Sequence, residues 1–327
     1  MITRRHAGFC SLAFLGAAML PFGALAQTDK LLDRPIRLVV PFAAGGGVDV
    51  FARLLGEQLK QQHNYTVVVE NRAGANGTVG GLAVKSAEPN GSTWLFSAGT
   101  HVMARHVMKS PPYDPIADFT PIARVGEAPM MLVMSPDRKP TTIGELVAEA
   151  RLQPDKWTFS TSALGAPGHL ATVAFNHLSG LNLTIVTYRG TAPALTDVAG
   201  GHVQLMIDPV LALLPMATDK KVIGLAVTSA KRTKLAPQLP TAAESGLPGL
   251  DYSTWYGVWG PRDMPVDLVA KLNAILNGAV AQLDKDGKLA QLGIEPVSDT
   301  PEQFSAFSKG YVTRNADLLT AAKFDPI

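Results

Sequence analysis

Cysteine is nearly absent from this 327-residue chain, with Cys10 the only one. Residues 1–26 carry a basic start (Arg4, Arg5), a mostly apolar stretch from Phe9 to Phe22 and the small-x-small triplet Ala24-Leu25-Ala26 before Gln27. That is the three-part pattern of a cleaved secretory signal. Thr3-Arg4-Arg5 leaves Sec and twin-arginine export both open. Cys10 falls within this leader, so the exported chain is expected to have no disulfide, thiolate nucleophile or thiolate metal ligand. Long apolar runs are missing too. After the leader, nothing approaches the roughly 18 uninterrupted apolar residues of a membrane span, and a soluble exported protein is expected. Charge of one sign is also lacking. The formal net charge of +2 comes from Arg4 and Arg5, and the remainder is balanced. This excludes the basic footprint of a nucleic-acid binder.

Signature motifs of catalysis are equally scarce. There is no GxSxG elbow, HExxH pair or EF-hand loop, and neither GxGxxG nor GK[ST] occurs in the glycine-rich segment. Ser160, Ser162, His101 and His169 are present, but serines and histidines without a geometry do not make a triad. No enzyme activity, metal or cofactor is expected.

What the chain does have is alternation of apolar strands and amphipathic helices. Ile36–Val40 reads as a buried strand. Asp49–Gln62 places Val50, Phe51, Leu54, Leu55 and Leu59 on one helical face. Strands follow at Tyr65–Val69 and Thr93–Ser97, with a short helix at Val79–Ala87 and another opened by Ala98-Gly99-Thr100. The pattern restarts after Ile122–Met134. Thr142-Ile143-Gly144-Glu145 reads as a capping box for a helix to Arg151. Strands at Trp157–Ser160, Thr184–Thr187, Val203–Ile207, Val222–Thr228 and Tyr252–Trp259 are interleaved with helices at His169–Leu178 and Ala192–Ala199. Helices at Val266–Leu283 and Pro301–Leu319 close the chain. Such alternation predicts an α/β protein with a parallel sheet covered on both faces. Its length predicts two domains. The boundaries fall near Glu127 and Asp251, giving one lobe from residues 27–127 and 252–327 and another from 128–251. A ligand cleft is expected between the lobes.

Two strand–loop–helix connections stand out. In the first, Phe42-Ala43-Ala44-Gly45-Gly46-Gly47-Val48-Asp49, the glycines allow a close backbone approach. The following helix start offers free N–H groups and the positive end of its dipole. The segment is either an anion seat or an ordinary tight βα turn. Asp49 would repel an anion, so a loop-organising role is expected, with Arg53 one helical turn away. The second connection, Ser160-Thr161-Ser162-Ala163-Leu164-Gly165-Ala166-Pro167-Gly168-His169, repeats the device with hydroxyls. His169 reads as a packing or capping residue as readily as a ligand. Further candidates are Tyr188 as a cleft wall, Arg189 for a carboxylate or a surface ion pair, and Asp208 as a helix cap or cleft-edge residue.

At these residues the chain resembles the extracytoplasmic solute-binding receptors of the tripartite tricarboxylate transporter system, the TctC/Bug family. The resemblance is carried by PIRLVVPFAAGGGVDVFARLLGEQL, VVVENRAGANGTVGG, PPYDPIADFTPIARV, TYRGTAPALTDVAGGHVQLMID and LAVTSAKRTKLAPQLPTAAESGLPG. It implies a two-lobed periplasmic binding fold, type II-like, that closes on a small organic acid. It also implies delivery to separate membrane permease subunits; docking on a sensor kinase is the alternative. The resemblance implies carboxylate contacts near Phe42–Asp49 and Thr161–His169, and with the residues read above the expected ligand-binding set is Phe42, Ala44, Gly45, Gly46, Val48, Asp49, Thr100, Thr161, Ser162, Gly165, His169, Tyr188, Arg189 and Asp208. Two loops depart from the family pattern. Val48 stands where GGGTD has a threonine, while Ala163 and Ala166 stand where glycine and a hydroxyl residue are usual. Thr161 is then the expected hydroxyl ligand. Each lost hydroxyl removes a hydrogen bond of about 0.5–1.5 kcal/mol, which favours a less hydroxylated mono- or dicarboxylate, aromatic acids included, over citrate.

Overall fold

The computed structural model describes residue 32 and residues 34–327; the signal-peptide segment, 1–26, lies outside the described residues. The first elements follow from alternating apolar blocks and helical faces. β1 (Ile36–Val40) is almost wholly buried, and α1 (Gly47–His63) covers it with Phe51, Ala52, Leu55 and Leu59. β2 (Val67–Asn71), α2 (Thr78–Lys85), β3 (Thr93–Ser97) and α3 (Thr100–Val107) follow. The long strand β4 (Phe119–Met134) leads to α4 (Ile143–Leu152), β5 (Thr158–Thr161), α5 (Pro167–Ser179) and β6 (Thr184–Thr187). Next come α6 (Thr191–Ala199), β7 (Leu205–Pro209), α7 (Val210–Thr218) and β8 (Ile223–Val227). The chain ends with β9 (Ser253–Pro261), α8 (Val266–Lys285), α9 (Lys288–Gln291), β10 (Glu295–Pro296) and α10 (Pro301–Ala321).

The α/β class expected from sequence holds, but the sheet is mixed. Its main path runs β2-β1-β3-β9-β4-β7-β5-β6. β1 is parallel to β2 and β3, and β5 is parallel to β6 and β7, while β9 and β4 run antiparallel to their neighbours. The physical reason is β4. Its first part pairs with β9 as far as Pro129 opposite Ser253, and from Met130 onward it lies between β7 and β8. One strand thus serves both halves of the sheet, and its partners must meet it head-on. Met130, Leu132 and Met134 enter a core with Trp157, Phe159 and Phe175, while Met131 and Val133 enter another with Val210 and Leu213. Near the other half, α10 lays Phe304 and Tyr311 against Trp255 and Trp259.

Several boundaries differ from the pattern reading. β2 begins two residues later than expected and extends to Asn71, whose side chain is needed at the first glycine loop. The Thr142 hydroxyl does accept the Glu145 N–H at 3.1 Å, and the Glu145 carboxylate accepts chiefly from Thr141, with the Thr142 backbone a lesser partner.

Candidate functional site

Five helices begin around one small cavity of about 30 Å³. Gly46, Gly47 and Val48 come from the start of α1, Thr100 from α3, Ala166 and Pro167 from α5, Thr191 from α6, and Pro209 from the start of α7. Phe42, Ala98, Ser162, Asp208 and Thr254 complete the wall. The N-cap residues of these helices are Gly46, Gly99, Ala166, Gly190 and Pro209, and none makes a side-chain capping bond. Positive dipole ends and leading N–H groups without side-chain caps are therefore gathered around this cavity, although at α3 the His101 N–H is already taken by the Ala98 carbonyl. That is the electrostatic requirement for seating an anion. A larger groove of about 700 Å³ lies between α8 and α10. There, however, the Gln303 N–H at the start of α10 is taken by the Thr300 hydroxyl in a capping box, and Pro301 has no N–H to offer.

The first loop is held in shape by Asp49. Its carboxylate accepts the Gly45 N–H at 2.9 Å, the Asn71 side-chain amide at 2.9 Å and the Arg53 guanidinium. Asn71 also donates to the Phe42 carbonyl at 3.1 Å. Burial pushes the Asp49 carboxyl up, but the bonds from Arg53, Gly45 and Asn71 outweigh it and hold the group below the usual aspartate range. Asp49 is thus an ionised strut turned away from the cavity, as the loop-organising reading expects.

The second loop divides its hydroxyls differently from expectation. Thr161 is buried and donates to the Ala163 carbonyl at 3.3 Å, so Ser162 is the hydroxyl residue on the cavity wall. His169 is fully buried. Its Nδ1 accepts the Gly165 N–H at 3.1 Å and its ring meets Phe324 edge-on. Burial lowers its pKa to about 4, so it is a neutral loop organiser. Gly165 serves the same turn.

Of the other sequence candidates, Phe42, Gly46, Val48, Thr100 and Asp208 reach the cavity wall, whereas Ala44 and Gly45 do not. The Tyr188 hydroxyl is taken up by Asp197 at 2.6 Å. Arg189 has an exposed side chain, but its carbonyl accepts the Ala43 N–H at 3.1 Å, joining the β6–α6 and β1–α1 loops. Leu164 N–H similarly donates to Asn76 Oδ1 at 3.2 Å.

Asp208 does not cap α7, whose N-cap is Pro209. It stays within β7, 3% exposed, and accepts a hydrogen bond from the Thr191 hydroxyl. Burial pushes its carboxyl up to about 7, against the hydrogen bonds of Thr191 and Ser162, which lower it. Tyr256, buried on β9, brings its hydroxyl close to Gly47, and burial together with the Asp208 charge raises its pKa. The sequence reading missed Thr191, Thr254 and Tyr256. Thr191 had a legible signal, being the first helical residue after a strand–glycine loop. Thr254 and Tyr256 reach the site through an antiparallel strand pairing that local pattern does not reveal. Among the described residues no cluster of three or more His, Cys, Asp or Glu residues is arranged to hold a metal ion.

The family described as the tripartite tricarboxylate transporter family receptor, TctC, matches residues 51–323. Three solved structures are similar over nearly their whole length. The periplasmic binding protein BugD is 36% identical, covering 90% of this chain and 100% of its own, with a TM-score of 0.85. Rpa4515 of R. palustris, solved with adipate, is 31% identical, covering 90% and 99%, with a TM-score of 0.86. MatC of Rhodopseudomonas palustris, with bound malate, is 30% identical, covering 88% and 99%, with a TM-score of 0.82. The α/β fold of this chain is accordingly the two-lobed fold of periplasmic binding proteins.

Proposed function

The chain belongs to the tripartite tricarboxylate transporter receptor family, and on that premise we propose that it captures a small carboxylate in the periplasm and delivers it to the permease subunits of such a transporter. The observation that carries this reading is the convergence of five helix starts without side-chain caps on one cavity. The cavity is walled by the hydroxyl residues Ser162, Thr100 and Thr191. The Thr100 hydroxyl has no hydrogen-bond partner among the described residues, so it is free for a ligand oxygen. Export by cleavage of residues 1–26 belongs to the same reading.

Two lobes, 27–127 with 252–327 and 128–251, would close by a hinge motion in which contacts to both favour the closed state. The exchange of β4's partners between Pro129 and Met130 supports that division. So do the bonds from Ala43 to Arg189 and from Leu164 to Asn76, each linking the two sides. The site binds and does not catalyse. Its buried His169 is neutral and bonds Gly165, and the one acid beside Ser162, Asp208, has no histidine paired with it among the described residues.

The ligand is a sparsely hydroxylated mono- or dicarboxylate, since Val48 and Ala166 present apolar surface in the wall. The adipate held by one relative fits that description, and aromatic acids belong to the same class. Thermal-shift and calorimetric titration with adipate, malate, citrate and benzoate tests the reading. Stabilisation by adipate or benzoate above citrate is expected. Citrate as the tightest ligand overturns the ligand class, and no binding by any of the four overturns carboxylate capture.

A further inference from the structure

Among the described residues of the cavity wall, Asp208 is the acidic one, and its charge opposes an anion. It is buried in the wall and bonded by the hydroxyl of Thr191, with Ser162 beside it. No lysine or arginine pairs with it among the described residues, and its neighbours are neutral. From α5, Gly168 packs against its Oδ1, with His169 next in sequence holding Gly165. From β9 comes the phenol of Tyr256. From β4, Met131 stands opposite it in the sheet register. The nearest fixed charges on the first loop, Asp49 and Arg53, satisfy each other.

A cavity of about 30 Å³ has room for one carboxylate head. An incoming carboxylate must therefore lie beside that of Asp208. Two carboxylates in one desolvated site cannot both stay ionised, and they share a proton.

We propose that Asp208 meets the ligand as a carboxylic acid, donating its O–H to the ligand carboxylate, so that capture takes a proton from solvent and release returns it. This rests on the carboxylate-capture reading. Burial, which pushes the Asp208 carboxyl up to about 7, is consistent with it. Selectivity follows as well. A ligand ammonium would want Asp208 ionised, so simple carboxylic acids are preferred to amino acids carrying the same carboxylates.

The test is calorimetric titration of the purified protein with adipate and with malate, from pH 5.5 to 8.5, in phosphate and in Tris. These buffers differ in ionisation enthalpy, so the difference in apparent heat counts the protons taken up. The expected result is uptake approaching one proton per ligand at pH 8, with Kd rising by up to about tenfold per pH unit above neutrality. In Asp208→Asn, whatever affinity remains should show no uptake and no rise of Kd with pH. Binding with no buffer dependence and a flat Kd overturns the inference while leaving carboxylate capture standing. So does uptake that persists in Asp208→Asn, or aspartate binding more tightly than adipate without uptake. Failure of both probes at every pH takes down the capture reading and this inference with it. The wild-type titration decides the matter even if the variant does not fold.

Discussion

Gly190 and Ala43 meet where the two sides of the cavity touch. Ala43 N–H donates to the carbonyl of Arg189 at 3.1 Å, and a Cβ on Gly190 would stand 3.1 Å from the same nitrogen. Gly190 also has φ +126°, which L side chains rarely adopt. Gly190→Ala should cost about 1–3 kcal/mol of stability through strain and weaken adipate binding by about tenfold, since the loops no longer meet at this distance. Gly180→Ala is the control, because Gly180 has φ +67° and nothing within 4 Å of its added Cβ. It should lose stability without losing affinity. Calorimetric melting and titration of both variants check the pair, and equal affinity losses would count against a role for Gly190 in closure.

Asp49 makes a prediction of opposite character, because its role is internal to one loop. Asp49→Ala removes the acceptor for Gly45 N–H, Asn71 and Arg53 together. The loss should be about 1–3 kcal/mol at pH 7, from donors left without a partner. The folded carboxyl lies below its ordinary value of 3.8. Its contribution is therefore complete above that value and is lost as pH falls through the folded pKa. Urea denaturation of wild type and variant at pH 7 and pH 3 should show the difference narrowing at the lower pH.

Gly168 tests how tightly α5 is seated against the strand that carries Asp208. An added Cβ would lie 2.1 Å from the Ile207 carbonyl oxygen and 2.8 Å from Asp208 Oδ1. A backbone carbonyl cannot swing aside as a side chain can. Gly168→Ala should therefore cost at least about 3 kcal/mol, the upper end of overpacking penalties. Its denaturation midpoint checks this, and a change below about 1 kcal/mol would mean that α5 slides freely on β7.

Much of this arrangement was legible from the chain. β1, β3 and β6 were readable residue for residue, because each is a short apolar or β-branched run bounded by turn residues. The first glycine loop and the strut role of Asp49 were readable because Arg53 lies one turn away. α7 was not. Val210–Thr218 is apolar around its circumference and contains Pro215, so it has neither helical periodicity nor an uninterrupted helical composition. Asp208 stayed open between helix cap and cleft edge for the same reason: without α7, its N-cap Pro209 could not be read. Thr161 and Ser162 could not be told apart, because which of two adjacent hydroxyls faces a cavity depends on where the strand ends. The antiparallel character of β9 and β4 depends on pairing between distant segments, to which local pattern is blind.

Asp208 also leaves a signature in the unliganded protein. Its folded pKa of about 7 stands above the ordinary 3.8. A raised carboxyl contributes stability that is fully present below the unfolded value and is lost as pH rises through the folded one. The two buried histidines act in the other direction. Burial lowers His101 to about 3 and His169 to about 4, both from 6.5, so their contribution is complete above 6.5 and lost as pH falls. The slope of wild type alone therefore mixes opposed effects, and Asp208→Asn separates them. The stability difference, wild type minus variant, should fall between pH 4 and pH 7.5 by a few kcal/mol, on the order of 1.4 kcal/mol for each pH unit separating the unfolded and folded values. Guanidinium denaturation of both proteins at half-unit pH steps measures it. A difference that stays constant across this window would mean that Asp208 titrates normally and that water reaches it in the unliganded cavity.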